Sequence, residues 1–337
     1  MRGALLATGG AVLVATALLT GAARRLATAH GVLDVPNPRS SHSRATPRGG
    51  GVAIVLVNSI ALLALSASGS VDHGLAAALL GGGLAVAAVG FVDDRATVPA
   101  GVRLAVHLLV AVWAVYWLGG LSSVRVGVHV TELGWSGSVL AVLGIAWVLN
   151  LFNFMDGIDG LAGSEALFIA AGGAVLAAGG GVALAAAVFA CACAGFLVWN
   201  WAPARIFLGD VGSGYLGYVI AVLALAAART SPALIWTWLI LGGVFFVDAT
   251  VTLARRVLRG EPVSEAHRTH AYQWLARRWG SHAKVTIACL ALNLVWLLPC
   301  AVLATRRPDA APLLVLCAFV PLVLLALVAG AGRRDSR

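Results

Sequence analysis

Two asparagines and two aspartates are gathered in NLFNFMDGIDGLAG, Asn150 to Gly163, within a chain where only 11% of residues are charged. Asn150 and Asn153 stand one helical turn apart, so their amides share a face, and Asp156 follows three residues later. Gly157, Gly160 and Gly163 let the backbone turn tightly and approach a ligand. Amide and carboxylate oxygens favour a hard cation, and magnesium takes only one or two protein carboxylates, completing its shell with substrate phosphate oxygens. The segment reads as a holder for a magnesium-bound pyrophosphate, placed where an apolar run ends.

Three further stretches carry carboxylates: GFVDDR with Asp93 and Asp94, FLGDVGSG with Asp210, and FFVDATVTLARR with Asp248. A carboxylate costs about 2.5–3.5 kcal/mol at the bilayer centre and less near the interface, so a penalty repeated this often implies a use. A single Asp at a helix end is ordinarily a cap. The adjacent pair Asp93 and Asp94 is less ordinary, because like charges side by side repel unless a cation or donor compensates. Together with Asp210 they could surround a divalent metal.

GSGYLG, Gly212 to Gly217, matches a dinucleotide-binding pattern but opens an apolar run with no strand before it. Its glycines are expected instead to let a helix amino terminus approach an anion, with free N–H groups aimed at phosphate. Two basic loops add Arg39, His42, Arg44 and Arg48 in the first, and Arg255, Arg256, Arg259, His267, Arg268 and His270 in the second. The His267/Arg268/His270 group offers bidentate and single-donor contacts to phosphates.

The elements that must position these residues are membrane helices. The chain of 337 residues is 60% hydrophobic, with a mean hydropathy of +0.93. Apolar runs recur at close to the roughly 20 residues that cross a bilayer as a helix. They predict about eleven spans: 4–22, 51–68, 75–92, 103–120, 138–154, 165–180, 182–200, 213–228, 233–253, 285–304 and 312–331. The first is read as a retained helix, since it runs straight into Arg24 and Arg25. The expected fold is an all-α, polytopic integral membrane protein of one domain, 1–337, with a motif-bearing core at 30–275 and two extra helices at 285–331.

With the amino terminus outside, 18 of the 23 basic residues fall in one set of loops, which predicts N-out, C-in and a site on the cytoplasmic face. The net charge of +9 then reports topology and anionic lipid head groups, and no nucleic-acid partner is expected. The five cysteines all lie inside apolar spans and suggest packing, with neither a disulfide nor a metal site.

With these residues assembled, the chain resembles the polyprenyl-phosphate N-acetylhexosamine-1-phosphate transferases, over roughly residues 30–275. The resemblance rests on DVPNPRSSHSRATPRGGG, GFVDD, NFMDGIDGLAG, FLGDVGS, FFVDAT and AHRTHAYQ, in that order. It implies that sugar-1-phosphate moves from a UDP-N-acetylhexosamine to undecaprenyl phosphate, giving the lipid diphosphate sugar and UMP. It implies magnesium as cofactor, with manganese as an alternative, a bacterial cytoplasmic membrane location, and compatibility with a homodimer. By the same resemblance Asp93, Asp94, Asp156 and Asp159 are catalytic, Asp210 and Asn153 hold the metal, and His267 and His270 lie near the diphosphate, while the residues read by themselves add Asn150, Asn153, Arg48 and Arg268 to the expected substrate-binding set.

AHRTHAYQ lacks the run of adjacent histidines typical of phospho-N-acetylmuramoyl-pentapeptide transferases, and the NPRSSHSRATPRGGG loop looks more like enzymes that initiate surface polysaccharides such as O-antigen. The expected donor is therefore UDP-N-acetylglucosamine or a 6-deoxy relative such as UDP-N-acetylfucosamine, with the muramoyl-pentapeptide reaction as the alternative. A rival from another class is a secondary transporter of phosphorylated substrates. Transporters place polar sites near the midplane, often in inverted repeats, whereas these carboxylates cluster at one surface.

Overall fold

The computed structural model describes residues 2–36, 44–177, 179–261 and 267–334. Arg39 and His42 of the first basic loop lie outside them. The chain is a bundle of apolar helices: α1 (Arg2–Ala29), α2 (Gly51–Ala67), α3 (His73–Asp93), α4 (Ala100–Leu118), α5 (Gly134–Met155), α6 (Leu161–Leu176) and α7 (Gly180–Asn200). It continues with α8 (Asp210–Thr230), α9 (Leu234–Leu241), α10 (Gly243–Leu258), α11 (Ala271–Trp279), α12 (His282–Arg306) and α13 (Ala311–Ala329). Among the described residues eight helices are long and apolar enough to cross a bilayer, and α9 and α10 make a bent pair. The protein is polytopic.

Three expectations are corrected. The run at 233–253 is not one straight helix, because α9 and α10 meet at Gly242 with a bend of 74°. The sixth helix starts at Leu161, not residue 165, because the DGIDG turn ends sooner than its glycines suggest, at Gly160 with φ +74°. Within the second basic loop sits α11, an amphipathic helix, since AYQWLARRW buries Ala271, Tyr272 and Ala276 and turns its arginines outward.

Two short antiparallel ribbons lie at opposite ends of the bundle. Leu33–Asp34 pairs with Thr46–Pro47, and Ser123–Val126 pairs with His129–Glu132. The first ribbon belongs to the end where the carboxylates collect. There Phe207 N donates to Pro47 O at 2.8 Å, while Gly50 N and Gly51 N donate to Phe207 O and Leu208 O at 2.9 Å each. Those bonds fasten the 46–51 segment to the chain entering α8.

Helix α8 is the hub: 94% of its most apolar window is buried, against 22% for α1 and α12. The glycines of GSGYLG serve that packing. A Cβ at Gly212 would meet Leu208 and Gly51, and one at Gly217 would meet the backbone of Leu149. Gly90 likewise lets the end of α3 lie against the start of α8, where any larger residue would collide with the Asp210 carbonyl. Close helix approach through small residues substitutes for the hydrophobic drive that lipid does not supply.

Candidate active site

The site is built on the amino terminus of α8. Gly209 takes φ +77°, which turns the chain so that the Asp210 and Val211 N–H groups donate to Asp94 Oδ1 and Oδ2, at 2.8 and 3.2 Å. The helix end that was expected to face a phosphate is thus already occupied by the protein's own carboxylate. Arg48 binds the same group, with Nε 2.8 Å from Asp94 Oδ1, and spans to Asp210 Oδ1 through Nη2 at 3.2 Å. Burial pushes the Asp94 carboxyl above its ordinary value although Arg48 pulls the other way, and burial's effect on Arg48 is outweighed by Asp94 and Asp210, which raise it.

Asp93 lies against the Asp210 carboxyl and takes further partners of its own. Successive helical residues diverge by about 100°, and Asp93 accepts from Val98 N at 2.7 Å and pairs with Arg103. Asp93, Asp94 and Asp210 gather at the meeting of α3 and α8, each held by other protein groups, and no three His, Cys, Asp or Glu side chains among the described residues are arranged to hold a metal by themselves. Asp210 and Asn153 do meet. Asn153 Nδ2 donates to Asp210 Oδ1 and to Ser213 Oγ, both at 3.0 Å, so this amide has only its Oδ1 to offer a ligand.

Arg48, Asn153, Asp156, Asp159 and Asp210 line one pocket of about 190 Å³, together with Asp34 and Gln273. Burial first, and the charge of Asp210 second, push Asp156 up to about 7. Four acids facing one arginine leave surplus negative charge, and every donor among them is oxygen. That donor set suits a hard divalent cation whose remaining shell comes from a phosphate-bearing ligand.

Asp159 is anchored more than it is open: Ala204 N donates to Oδ2 at 3.0 Å, and His282 Nδ1 lies 3.2 Å from Oδ1. Thr286 Oγ1 donates to the Asp159 carbonyl, and Gly160 N donates to Asn200 Oδ1. His282, Asn200, Arg103 and Asp34 are absent from the sequence-derived set. His282 and Arg103 had a signal, since each is a polar residue opening an apolar run, but nothing in one dimension names their partners. Asn150 does not reach this pocket; its Nδ2 donates to Ala146 O at 2.7 Å and it lines a separate small cavity beside Asp93.

A sequence model described as glycosyl transferase family 4 matches residues 76–228, the stretch holding Asp93, Asp94, Asn153, Asp156 and Asp210. A curated relative from Bacillus subtilis (strain 168), named probable undecaprenyl-phosphate N-acetylglucosaminyl 1-phosphate transferase, is 32% identical over 284 residues, covering 80% of this chain and 76% of the relative. The chain belongs to glycosyl transferase family 4. A decaprenyl-phosphate N-acetylglucosaminephosphotransferase of Mycobacterium tuberculosis (strain ATCC 25618 / H37Rv) is 30% identical over 317 residues, with 81% and 76% covered. A phospho-N-acetylmuramoyl-pentapeptide-transferase of Moorella thermoacetica is 34% identical over 230 residues, with 63% and 69% covered.

The family 4 match ends before the second basic loop. There the structure places His267, Arg268 and His270 outside the lining of the acidic pocket. His270 is buried, stacked between Phe154 and His267, and its Nδ1 lies 3.4 Å from Asp248 Oδ1 without hydrogen-bonding to it. Burial, and then His270, hold His267 down near 4, so it is neutral at neutral pH. Asp248 is a cap at a distance: Ala271 N and Tyr272 N donate to its two oxygens at 2.8 and 3.0 Å. The helix so fixed brings Tyr272 Oη to the Phe154 carbonyl at 3.0 Å and Gln273 to the pocket wall.

Proposed function

We propose that this membrane protein transfers N-acetylhexosamine-1-phosphate from a UDP-sugar to a polyprenyl phosphate, releasing UMP. The observation that carries the reading is the acidic, Arg48-bearing pocket at the meeting of the α5 and α8 ends, in a chain whose relatives are named for this chemistry across four-fifths of its length. The relatives matched over 80% and 81% of the chain are named for N-acetylglucosamine, and the muramoyl-pentapeptide relative covers 63%, which favours UDP-N-acetylglucosamine or a 6-deoxy relative as donor. Undecaprenyl phosphate is the proposed acceptor, and the product would begin an envelope polysaccharide.

Asp210, Asp156 and Asn153 Oδ1 would hold magnesium, which supplies neutralisation of the pyrophosphate charge when bound. Arg48 keeps Asp210 at a fixed place and presents its remaining N–H groups to the donor's phosphates. Asp93, held by Arg103 and Val98 N, lies on the acceptor's side. A phosphate monoester is already a nucleophile, so positioning and charge stabilisation account for most of the catalysis without a covalent enzyme intermediate. His267 and His270 act through packing, by seating α11 against the DGIDG turn.

The deciding experiment incubates purified protein with undecaprenyl phosphate, magnesium and a panel of UDP-sugars. UMP release that needs the lipid phosphate supports the reading, and a transporter releases none. The site is proposed to face the cytoplasm of a bacterial inner membrane. A cysteine placed at Gly260 then reacts with an impermeant thiol reagent only after permeabilisation, whereas one at Ser122 reacts in intact cells.

A further inference from the structure

Helix α12 lies beyond the motif-bearing core and beyond the family 4 match, yet three of its side chains hold the 159–165 segment. His282 Nδ1 lies 3.2 Å from Asp159 Oδ1 and 3.3 Å from Asp159 N. Thr286 Oγ1 donates to the Asp159 carbonyl at 3.0 Å, and Asn293 Nδ2 donates to Glu165 Oε2 at 2.6 Å. His282, Thr286 and Asn293 follow one another at four and seven residues, which puts them on one face of the helix. Glu165 and Asn293 are fully buried, roughly 16 Å along α12 from His282, and Glu165 Oε1 and Asn293 Oδ1 have no hydrogen-bond partner. An apolar seam between α6 and α12 would avoid that cost. It would also leave the two helices free to slide, because apolar contact is non-directional, whereas these hydrogen bonds fix their register.

Asp159 is the end of this seam that faces a ligand. The acidic pocket of about 190 Å³ adjoins an arginine-lined cavity of about 1180 Å³, and Asp159, Phe207 and His282 line both. Sites for small ligands measure about 300–1,000 Å³, so a UDP-sugar with its pyrophosphate in the acidic pocket extends past this neck. Asp159 Oδ2 is held there by Ala204 N, and His282 stands beside Oδ1. Nδ1 of His282 serves Asp159 in either state of the ring. Protonated, it donates to Oδ1; unprotonated, it accepts the Asp159 N–H. In both states the DGIDG turn is tied to the first residue of α12.

We propose that His282 is a positioning residue for the donor substrate: with Thr286 and the Asn293–Glu165 pair behind it, it fixes the Asp159 carboxyl at the neck through which the UDP-sugar extends. The helix α12 is then part of the site, and not an appended span. The proposal rests on the transferase reading. His282 acts through Asp159 and does not touch the reacting atoms.

The test compares wild type with His282→Ala, His282→Asn, His282→Gln, Asp159→Ala and the Asp159→Ala/His282→Ala double variant in one detergent, using undecaprenyl phosphate and the UDP-sugar that supports turnover. Asparagine sets an amide where Nδ1 stands and can donate or accept there, whereas glutamine sets it where Nε2 stands. His282→Ala is expected to raise the KM for the UDP-sugar about tenfold or more, the size of one lost hydrogen bond to a charged group, with the KM for undecaprenyl phosphate near wild type. His282→Asn recovers most of the loss and His282→Gln little. The double variant matches Asp159→Ala alone, because a residue that acts through Asp159 then has nothing left to position. Without lipid, UMP raises the melting midpoint of wild type and His282→Asn more than that of His282→Ala. Losses that add in the double variant, asparagine no better than glutamine, or equal KM changes toward both substrates would overturn the proposal and leave His282 as packing. If His282→Ala does not purify folded, the contrast between asparagine and glutamine decides alone. Absence of UMP release by wild type would sink the transferase reading. The melting shifts with UMP would still decide on His282, an absent shift or equal shifts in all variants counting against it.

Discussion

Asp94 and Asp248 perform the same local task in different surroundings. Each reaches from one helix to cap another: Asp94 takes two N–H groups of α8, and Asp248 takes two of α11. Both therefore answer the question of why a carboxylate is kept in so apolar a chain. Around Asp94, however, an arginine is shared with Asp210, and Asp156 and Asn153 open onto a pocket. Around Asp248 stand Thr252, His270 and the capped backbone, all buried. A carboxylate at a membrane helix end is thus not by itself a sign of catalysis; surplus charge facing a cavity is.

The largest effect that would sharpen this contrast is expected at Asp210. Asp210→Asn should lower turnover about 10²–10³-fold, the range for losing one preorganised electrostatic group, with no loss of folded protein. Excess EDTA should abolish wild-type turnover. Full activity in EDTA would remove the metal from the account of the pocket.

Next comes Asp94→Ala, which strips the cap from α8 and the anchor from Arg48. Stability should fall by about 1–3 kcal/mol as the helix N–H groups lose their acceptor, and turnover by about 10–100-fold because Asp210 loses its orienting partner. Chemical denaturation and UMP release, measured on the same preparation, read the two losses separately.

Asp156 should make the pocket sensitive to pH. Its carboxyl is pushed up to about 7 from an ordinary value of 3.8, so the folded state favours the protonated form. The associated stability is complete below about pH 4 and is lost as pH rises through 7. In magnesium-free detergent the melting midpoint should decline across that window, magnesium should reduce the decline, and Asp156→Asn should flatten it. A decline of the same size in Asp156→Asn would assign it to another group.

The smallest effect on chemistry is expected at Asp248. Asp248→Ala should cost stability on the same scale as the Asp94 variant, about 1–3 kcal/mol, yet leave turnover per folded molecule close to wild type. If its turnover fell as steeply as that of Asp94→Ala, the distinction between strut and site would break.

The sequence by itself determined the medium and the chemical inventory. Long apolar runs admit only helices where no water can satisfy the backbone, so among the described residues the expected runs fall on helices, with a break at Gly242 in the ninth. The oxygen-only, phosphate-suited set of Asp, Asn and Arg at one end of those runs was equally legible, because charged groups in an apolar chain are rare enough to count one by one. Tertiary structure decided which of these groups meet. Asp93 and Asp94 are neighbours in the chain and take different partners, Asp94 capping α8 while Asp93 pairs with Arg103, because a helix turns about 100° per residue. Arg48, Asp94 and Asp210 are far apart in the chain and form one ion cluster. The break at Gly242, the α11 helix held by Asp248, and the meeting of His282 with Asp159 all depend on long-range packing. Hydrophobic periodicity records how a segment faces the bilayer, and it carries no term for which segment will lie beside it.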